Sequence, residues 1–260
     1  MKVVRQISEL KLIVSGYKSE GKAIGFVPTM GALHEGHISL LKQSVETCDI
    51  SVVSIYVNPS QFNVSSDFLS YPRNEIEDLS KLKDGGCDIA FIPEVADIDF
   101  LGLPRAVKLG YLANVMEGSN RPGHFKGVIE IVYRLFSVVK PNKAFFGEKD
   151  FQQVMVIRKM VADTNLNIEI VSCKILREAS GLAMSSRNIR LSDEGKIKAA
   201  KIHYVLKSSK FGSDAVKTNE LKRLGFEVEY LAKHKLGGFS RLFVAVWIEG
   251  VRLIDNIAID

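Results

Sequence analysis

Apolar residues in the first two thirds of the chain alternate between short continuous runs and stretches with helical spacing. The continuous runs predict buried strands at residues 22–29, 49–57, 88–92, 143–146 and 166–174. The stretches between them predict helices at residues 36–48, 73–83, 127–139 and 150–163. Alternation of this kind is typical of a parallel sheet with helices on both faces.

The pattern changes after Arg190. A Lys- and Ala-rich helix is predicted at residues 193–210, and runs at 226–231, 240–248 and 251–257 alternate like antiparallel strands. Glycines supply the turns that separate these runs. The sequence therefore predicts a large α/β region followed by a smaller α+β region.

Composition and charge narrow the possible function classes. Hydrophobic residues make up 46% and charged residues 25% of the chain, which excludes a disordered, collagen-like or coiled-coil protein. The excess of 35 basic over 30 acidic side chains is spread along the chain, so no nucleic-acid partner is predicted. The N-terminal segment lacks a signal-peptide core and no apolar run reaches membrane-spanning length, so we expect a cytoplasmic protein without membrane contact. The three cysteines form no CxxC pair and are expected to be buried, reduced thiols.

Polar and charged residues cluster where the predicted strands end. In open parallel sheets, ligands bind beyond the carboxyl ends of the strands. We therefore expect one crevice to be lined by residues 28–37, 58–62 and 146–150 and by the stretch after Lys174.

The segment at residues 28–37, PTMGALHEGH, runs from a strand through a glycine-bearing turn into a helix, a geometry that binds phosphate at a helix start. It is not a P-loop, because His37 and Ile38 stand where Lys and Ser or Thr are needed. It is not a zincin motif either, because His34 and His37 are three residues apart. Either imidazole could donate a hydrogen bond to charge that develops on a transferring phosphoryl group, whereas the plainer alternative is two histidines on a surface turn.

Two amides and a basic residue follow other strand ends. Gln61 comes after a Pro-defined turn, and its amide could bind both a carboxylate and a hydroxyl, although it could equally be a plain turn residue. Lys149 could neutralise phosphate and Asp150 could bind ribose hydroxyls, with Gln153 one helical turn further on. Helix capping is the alternative role for these charged residues.

Two loops leave their roles open. Arg121, His124 and Lys126 lie around Pro122, in either a solvated connector or an anion-facing lid. The loop at residues 178–188 carries two serines and Arg187, which suit a triphosphate, or it is an interdomain turn.

Seven stretches in this order resemble the pantoate–β-alanine ligase family, the pantothenate synthetases, within the HIGH-signature nucleotidyltransferase superfamily. They are VPTMGALHEGH (27–37), SIYVNPSQF (54–62), YPR (71–73), RPGHFKGV (121–128), AFFGEKDFQQ (144–153), GLAMSSRN (181–188) and RLIDN (252–256). The segment at residues 63–70 departs from the family pattern.

The resemblance implies an α/β fold, with a Rossmann-like doubly wound parallel sheet as the nucleotide-binding catalytic domain (1–180) and a small C-terminal α+β lid domain (181–260). It implies ATP-dependent condensation of (R)-pantoate with β-alanine to pantothenate, with release of AMP and pyrophosphate through a pantoyl adenylate. ATP is then a substrate, Mg²⁺ is carried by its phosphates rather than by protein side chains, and a homodimer is expected.

The resemblance also implies residue roles. The residues expected to bind ATP are Met30, Gly31, Ala32, Leu33, His34, Glu35, Gly36, His37, Gly147, Glu148, Lys149, Asp150, Leu176, Met184, Ser185, Ser186 and Arg187. His37 is expected to be the catalytic proton donor, assisted by His34 and Lys149. Gln61 would contact pantoate and β-alanine, and Gln153 would contact pantoate.

Two other functions remain open at the level of the residues. One is a related nucleotidyltransferase that acts on a phosphorylated small molecule, which the two glutamines disfavour. The other is a nucleotide- or RNA-binding module without catalysis, which the modest charge disfavours.

Overall fold

The computed structural model describes residues 1–62, 68–99, 101–104, 107–208 and 212–259, and these residues form two compact units. The amino unit comprises Met1–Glu148 and Gln152–Cys173, and the carboxyl unit comprises Lys149–Phe151 and the chain from Lys174 onward. Most of the segment that departs from the family pattern, residues 63–67, and the end of the predicted helix at 193–210 lie outside the described residues.

The amino unit alternates strands and helices. Its strands are β1 (Lys2–Val4), β2 (Ile24–Thr29), β3 (Ile50–Ile55), β4 (Ile89–Phe91), β5 (Lys143–Gly147) and β6 (Glu169–Cys173). Its helices are α1 (Ile7–Ser19), α2 (Glu35–Thr47), α3 (Glu75–Asp84), α4 (Val95–Asp99), α5 (Met116–Asn120), α6 (His124–Val139) and α7 (Phe151–Asp163), whose first residue belongs to the carboxyl unit.

The six strands form one sheet in the order β1-β4-β3-β2-β5-β6, and every neighbouring pair is parallel. From β2 the chain first adds strands on one side and later adds β5 and β6 on the other. Right-handed crossovers then place helices on both faces, which makes the sheet doubly wound. The carboxyl ends of β2, β3 and β5 therefore lie at one edge, next to the point where the order reverses.

Alternate side chains of the strands pack on the two faces. Val27 of β2 lies in a core cluster with residues of α2 and α3. Its neighbour Phe26 points to the other face, where its ring meets that of Phe136 in α6 at 6.2 Å. Because both faces are covered, the strands read as continuous apolar runs, as in other parallel sheets.

Gly25 lets α2 approach the sheet closely. A Cβ atom at this position would lie 2.1 Å from the Oγ of Ser44 in α2 and 3.0 Å from the Sγ of Cys48, the residue that follows α2. Such separations are far below van der Waals contact, so a larger residue would push α2 away from β2. This contact fixes the helix that begins directly after the candidate site.

The carboxyl unit is an α+β structure. Its strands β7 (Glu227–Leu236), β8 (Phe239–Ile248) and β9 (Val251–Ala258) form an antiparallel sheet in that order. Helices α8 (Asp193–Lys207) and α9 (Asp214–Arg223) contribute to the same apolar cluster as the sheet. Alternate residues of β8, such as Val244 and Val246, lie in this cluster, whereas Phe243 contacts the ring of Phe151.

The predicted fold class is confirmed, but the first elements of the chain were not predicted. Strand β1 has only 3 residues, too few for a visible pattern, and α1 buries only Leu10 and Val14. The described backbone divides after Cys173, whereas the sequence placed the boundary after residue 180, and the assignment of two folding domains stays a prediction. Among the described helices, none is long and apolar enough to cross a membrane.

Candidate active site

The turn between β2 and α2, called the histidine turn here (residues 29–37), has an unusual backbone. Gly31 has φ +79° and Ala32 has φ +49°, so two successive residues take left-handed conformations that cost a non-glycine residue free energy. Asp78 of α3 stabilises them, because its carboxylate accepts hydrogen bonds from the Ala32 N–H at 2.9 Å and the Leu33 N–H at 2.6 Å.

Asp78 is only 2% exposed. Burial raises the pKa of its carboxyl group above the ordinary value, and the two backbone donors partly oppose that shift. Lys81, one turn further along α3, donates to the Leu33 carbonyl oxygen at 2.7 Å. No local signal in the sequence indicates this support, because both residues look like ordinary polar positions of an amphipathic helix.

The two histidines cap α2 and stack on each other. The His34 Nδ1 accepts a hydrogen bond from the Gly36 N–H at 3.1 Å, and the His37 Nδ1 accepts from the His34 N–H at 3.4 Å. Their ring centroids are 4.1 Å apart with an interplanar angle of 29°. This is a capping box in which imidazoles replace the usual hydroxyl and carboxylate.

The cap determines which ring nitrogen carries the proton. A nitrogen that accepts a hydrogen bond from a backbone N–H has no proton of its own, so each neutral ring is protonated on Nε2. Each histidine therefore carries its proton on Nε2, at the end of the ring remote from the backbone of α2. Such fixed donors suit an anion that gains charge during a reaction.

The backbone donors of the turn are largely occupied by the protein itself. The N–H groups of Ala32 and Leu33 bind Asp78, and those of His34 and Gly36 bind the two imidazoles. These four N–H groups are thus bound within the protein, which differs from the phosphate-binding geometry expected at this helix start. The assignment of residues 30–37 to ATP stays a prediction.

Gln61 ends a short 3₁₀ turn, Pro59–Gln61, that follows β3. Its side-chain amide donates to the Met30 Sδ, so Gln61 and the histidine turn lie side by side at the carboxyl edge of the sheet. Asn58 begins the 3₁₀ turn and donates to the Gly127 carbonyl oxygen at 3.1 Å. The turn is thus joined to the start of α6.

Arg121 and His124 hold the main chain of Gln61. The His124 Nδ1 lies 2.9 Å from the Gln61 carbonyl oxygen, and the Arg121 guanidinium donates to the same oxygen at 3.3 Å. The Arg121 guanidinium also lies 3.0 Å from the His124 Nε2. Because arginine is only a donor, Nε2 must accept and Nδ1 must carry the proton.

The loop that contains these two residues is therefore not a solvated connector at Arg121 and His124, and its role as an anion-facing lid stays a prediction. His124 is 8% exposed and both side chains bind the protein. Lys126 is different, since its side chain is 81% exposed and lies 4.0 Å from Glu130. The sequence indicated these three basic residues but could not show that Arg121 and His124 bind the Gln61 carbonyl oxygen.

Gly127 permits this contact. A Cβ atom there would lie 2.5 Å from the Ser60 carbonyl oxygen, which is part of the backbone and cannot rotate away. The start of α6 therefore lies directly against the turn that carries Gln61.

The end of β5 brings Gly147 and Glu148 to the same edge as Thr29. The predicted substrate residue Gln153 is half-buried in α7, and its amide makes no hydrogen bond to any residue that the structure describes. Its neighbour Gln152 is buried, accepts from the Glu117 N–H at 3.0 Å and donates to two carbonyl groups of the chain before α5. Gln152 thus has a structural role that the sequence did not reveal.

In the carboxyl unit, Lys149 and Asp150 form an ion pair with Nζ and Oδ2 3.7 Å apart. The Lys149 side chain is partly buried and that of Asp150 is half exposed. Within the part of the chain that the structure describes, Asp150 is the one carboxylate within ion-pair distance of the lysine. The ammonium group therefore keeps donor capacity for an anionic ligand.

Residues 176–188 form a tight loop with a hairpin-like start. Arg177 and Ala183 form a β-bridge, and the Met184 N–H donates to the Leu176 carbonyl oxygen at 3.1 Å. Ser185 then caps a short 3₁₀ helix by accepting from the Arg187 N–H at 3.3 Å. The Ser185 hydroxyl can still donate its proton to a phosphate oxygen. The residues of this region that were predicted to bind ATP, Leu176 and Met184–Arg187, lie on this one short loop.

The described residues contain no group of three or more His, Cys, Asp or Glu side chains placed to hold a metal ion.

Comparison with known proteins identifies the family. The family model described as pantoate-beta-alanine ligase matches residues 2–258. The chain belongs to the pantoate-beta-alanine ligase family. The family resemblance seen in the sequence is confirmed, and with it the prediction of an enzyme rather than a non-catalytic module.

Relatives and solved structures agree with this assignment. The chain is 43% identical to a pantothenate synthetase of Ruegeria pomeroyi (99% of this chain, 97% of that protein) and 42% identical to one of Cytophaga hutchinsonii (98% of each). The pantoate-beta-alanine ligase of Francisella tularensis, solved in complex with beta-gamma ATP and beta-alanine, superimposes with a TM-score of 0.91 at 38% identity (99% of this chain, 97% of that chain). The pantothenate synthetase of Thermus thermophilus gives a TM-score of 0.89 at 36% identity and covers 99% of each chain.

Proposed function

We propose that this protein condenses (R)-pantoate with β-alanine to pantothenate, using ATP and releasing AMP and pyrophosphate through a pantoyl adenylate. Family membership over residues 2–258 carries this proposal. The nucleotide and β-alanine in the Francisella tularensis relative support the two corresponding substrates. The Nε2–H groups of His34 and His37 in the histidine turn are hydrogen-bond donors, and such donors stabilise the negative charge that develops on a phosphoryl group during its transfer.

In the first step, a carboxylate oxygen of pantoate attacks the α-phosphorus of ATP. A bond forms between that oxygen and phosphorus, and the bond to the bridging oxygen breaks, so that pyrophosphate leaves with the electron pair. No protein nucleophile is required, and catalysis rests on positioning and charge stabilisation. The His37 Nε2–H, the His34 Nε2–H and the Lys149 ammonium group are the donors that we assign to the phosphate oxygens.

In the second step, the amine of β-alanine attacks the acyl carbon of the adenylate. The new C–N bond replaces the C–O bond to phosphate, AMP leaves, and the nitrogen loses a proton. Gln61 and Gln153 would hold pantoate through both steps. Neutral amides suit this task, because a lysine in their place could itself attack the acyl adenylate.

The remaining nucleotide contacts are assigned to the carboxyl unit. The Ser185 hydroxyl and the Arg187 guanidinium can bind phosphate oxygens, and Asp150 can accept from ribose hydroxyls. Mg²⁺ is expected to arrive with the phosphates of ATP. A homodimer in the cytoplasm stays a prediction, which light scattering on the purified protein would test for the oligomeric state.

Isotope exchange between pyrophosphate and ATP tests the proposal. We expect labelled pyrophosphate to enter ATP only when pantoate is present, because the first step is reversible and does not need β-alanine. Addition of β-alanine should then yield pantothenate and AMP in equal amounts. Exchange without pantoate, or release of ADP, would contradict the adenylate mechanism, and exchange driven by a phosphorylated substrate instead would favour the related nucleotidyltransferase.

A further inference from the structure

The RLIDN segment of β9 contains two polar residues that are almost fully buried. Asp255 is 5% exposed and Asn256 is 1% exposed. Buried polar groups cost free energy unless they are hydrogen-bonded, so such residues need partners. Within the carboxyl unit their side chains bind the Lys149 main chain, Arg177 of the loop at residues 176–188, and Arg241 of β8.

Asn256 holds the segment that contains Lys149. Its Nδ2 donates to the Lys149 carbonyl oxygen at 3.0 Å, and its Oδ1 accepts from the Arg241 Nε at 2.5 Å. The Arg241 guanidinium lies 4.4 Å from the centroid of the Phe151 ring. Lys149 and Phe151 are therefore fixed from β9 and β8, on either side of Asp150.

Asp255 holds the loop that contains Arg187. Its carboxylate accepts two hydrogen bonds from Arg177, at 2.7 and 2.8 Å, in a bidentate ion pair. Arg177 also donates to the Gly181 carbonyl oxygen at 3.2 Å and so braces the start of the loop from within. Planar pairs of this kind fix direction as well as distance.

Adjacent residues of one strand thus bind the main chain of Lys149 and, through Arg177, the start of the loop at residues 176–188 that carries Arg187. We propose that Asp255 and Asn256 are positioning residues, which hold Lys149 and Arg187 in the relative geometry that binds the triphosphate of ATP. The proposal rests on the proposed function, because it takes Lys149 and Arg187 as phosphate ligands. It gives the RLIDN segment a role in nucleotide binding, in addition to its place in the core.

The Asn256→Asp substitution tests this proposal with little change in shape. Aspartate keeps an acceptor for Arg241 but offers no donor to the Lys149 carbonyl oxygen. A displacement of about 1 Å can lower the rate about 100-fold, so we expect the kcat/KM for ATP in pyrophosphate exchange to fall about 10- to 100-fold. The KM for pantoate should stay unchanged, because Gln61 and Gln153 belong to the amino unit. Glu229→Gln is the matched control, since it weakens the ion pair between Glu229 of β7 and Arg252 of β9, and this pair includes no residue of the Lys149 segment or of the loop at residues 176–188.

A double-mutant cycle separates positioning from general destabilisation. Once Lys149→Ala has removed the ammonium group, Asn256→Asp should cause little further loss in ATP affinity, measured by calorimetry. An independent structural role would instead make the two losses additive. A second double-mutant cycle combines Asp255→Asn with Arg187→Ala, and the same non-additive result is expected. It replaces the first cycle as the test if the Asn256→Asp protein does not fold.

The outcomes are distinct. Wild-type ATP affinity in the folded Asn256→Asp protein, additive losses in both cycles, or an equal loss in Glu229→Gln would overturn the positioning role. If the wild-type chain binds ATP but shows no pantoate-dependent exchange, the proposed function fails, and calorimetry on the same variants still decides the positioning role. A wild-type chain that does not bind ATP overturns both.

Discussion

The histidine turn and the basic segments of the carboxyl unit hold their functional side chains in two different ways. His34 and His37 are fixed by backbone groups at the start of the helix to which they belong. The main chain that carries the Lys149 side chain is held by Asn256, which lies 107 positions further along the chain. The first arrangement is local in sequence, whereas the second exists only after β8 and β9 have formed.

This difference shows which parts of a site a sequence can reveal. Both histidines lie within one helix start, so the sequence indicated them as candidates, but it did not predict that their imidazoles cap α2. A lysine after a strand end indicates an anion site but not what holds the lysine in place. A substitution can therefore remove the contacts within one helix start, or the contacts between segments distant in sequence, without affecting the other group of contacts.

The largest effect is expected for His37→Asn. This substitution separates the two functions of His37, which are to cap α2 through Nδ1 and to donate a hydrogen bond from Nε2. The Asn Oδ1 occupies nearly the same position as Nδ1 and keeps the helix cap, but nothing replaces the Nε2–H. Loss of one donor to developing charge lowers kcat about 100- to 1,000-fold, and we expect a loss of that size in pantothenate formation. The melting temperature should change little, as differential scanning calorimetry would show.

The complementary variant is His37→Gln, whose amide nitrogen reaches toward the Nε2 position but leaves the cap without its acceptor. It should recover part of the activity and lose part of the stability. Wild-type kcat in His37→Asn would remove His37 from the catalytic assignment.

A smaller effect is expected for Gly127→Ala in the amino unit. This substitution disturbs the contact between α6 and the turn that carries Gln61, two segments that are far apart in sequence. The added methyl group would lie 2.5 Å from the Ser60 carbonyl oxygen and displace the turn that carries Gln61. Overpacking of this kind costs about 1–3 kcal/mol in the free energy of unfolding, and the KM for pantoate should rise more than the KM for ATP. Urea unfolding and steady-state kinetics would measure the two effects.

Gly16→Ala in α1 is the matched control. A Cβ atom there has no neighbour within 4 Å, so stability should stay the same or rise by up to about 1 kcal/mol. Equal KM values for pantoate in the Gly127→Ala and wild-type proteins would show that Gln61 does not depend on α6.

The smallest effect is expected for Leu176→Val in the carboxyl unit. Leu176 is 39% exposed, and its carbonyl oxygen accepts from the Met184 N–H, a bond that any side chain preserves. The kcat/KM for ATP should stay within about twofold of the wild-type value, because surface substitutions without special contacts change the free energy little. A tenfold loss would mean that the side chain itself contacts the nucleotide.

Much of the fold could be predicted because it depends on local patterns. The runs that form β2, β3 and β5 are apolar on both faces, as a parallel sheet requires, and their ends place His37, Gln61 and Gly147 at one edge. Strand β1 could not be predicted, because its 3 residues are too few to show a pattern and form a strand only by pairing with β4.

The supports of the candidate site could not be predicted for the same physical reason. Asp78, Gln152 and Asn256 act through contacts with residues far away in sequence, and their local surroundings are those of ordinary helix or strand positions. The sequence also predicted phosphate binding at the start of α2, because it could not show that Asp78 already binds two backbone N–H groups of the histidine turn.

Transfer of oxygen from pantoate to AMP tests the central claim most directly. If the pantoate carboxylate attacks the α-phosphorus and β-alanine then displaces AMP, one carboxylate oxygen must remain on phosphorus. With pantoate labelled by ¹⁸O in the carboxylate, we predict one ¹⁸O atom in each AMP and none in pyrophosphate, as measured by mass spectrometry. Unlabelled AMP, or ¹⁸O in inorganic phosphate together with ADP, would contradict the account.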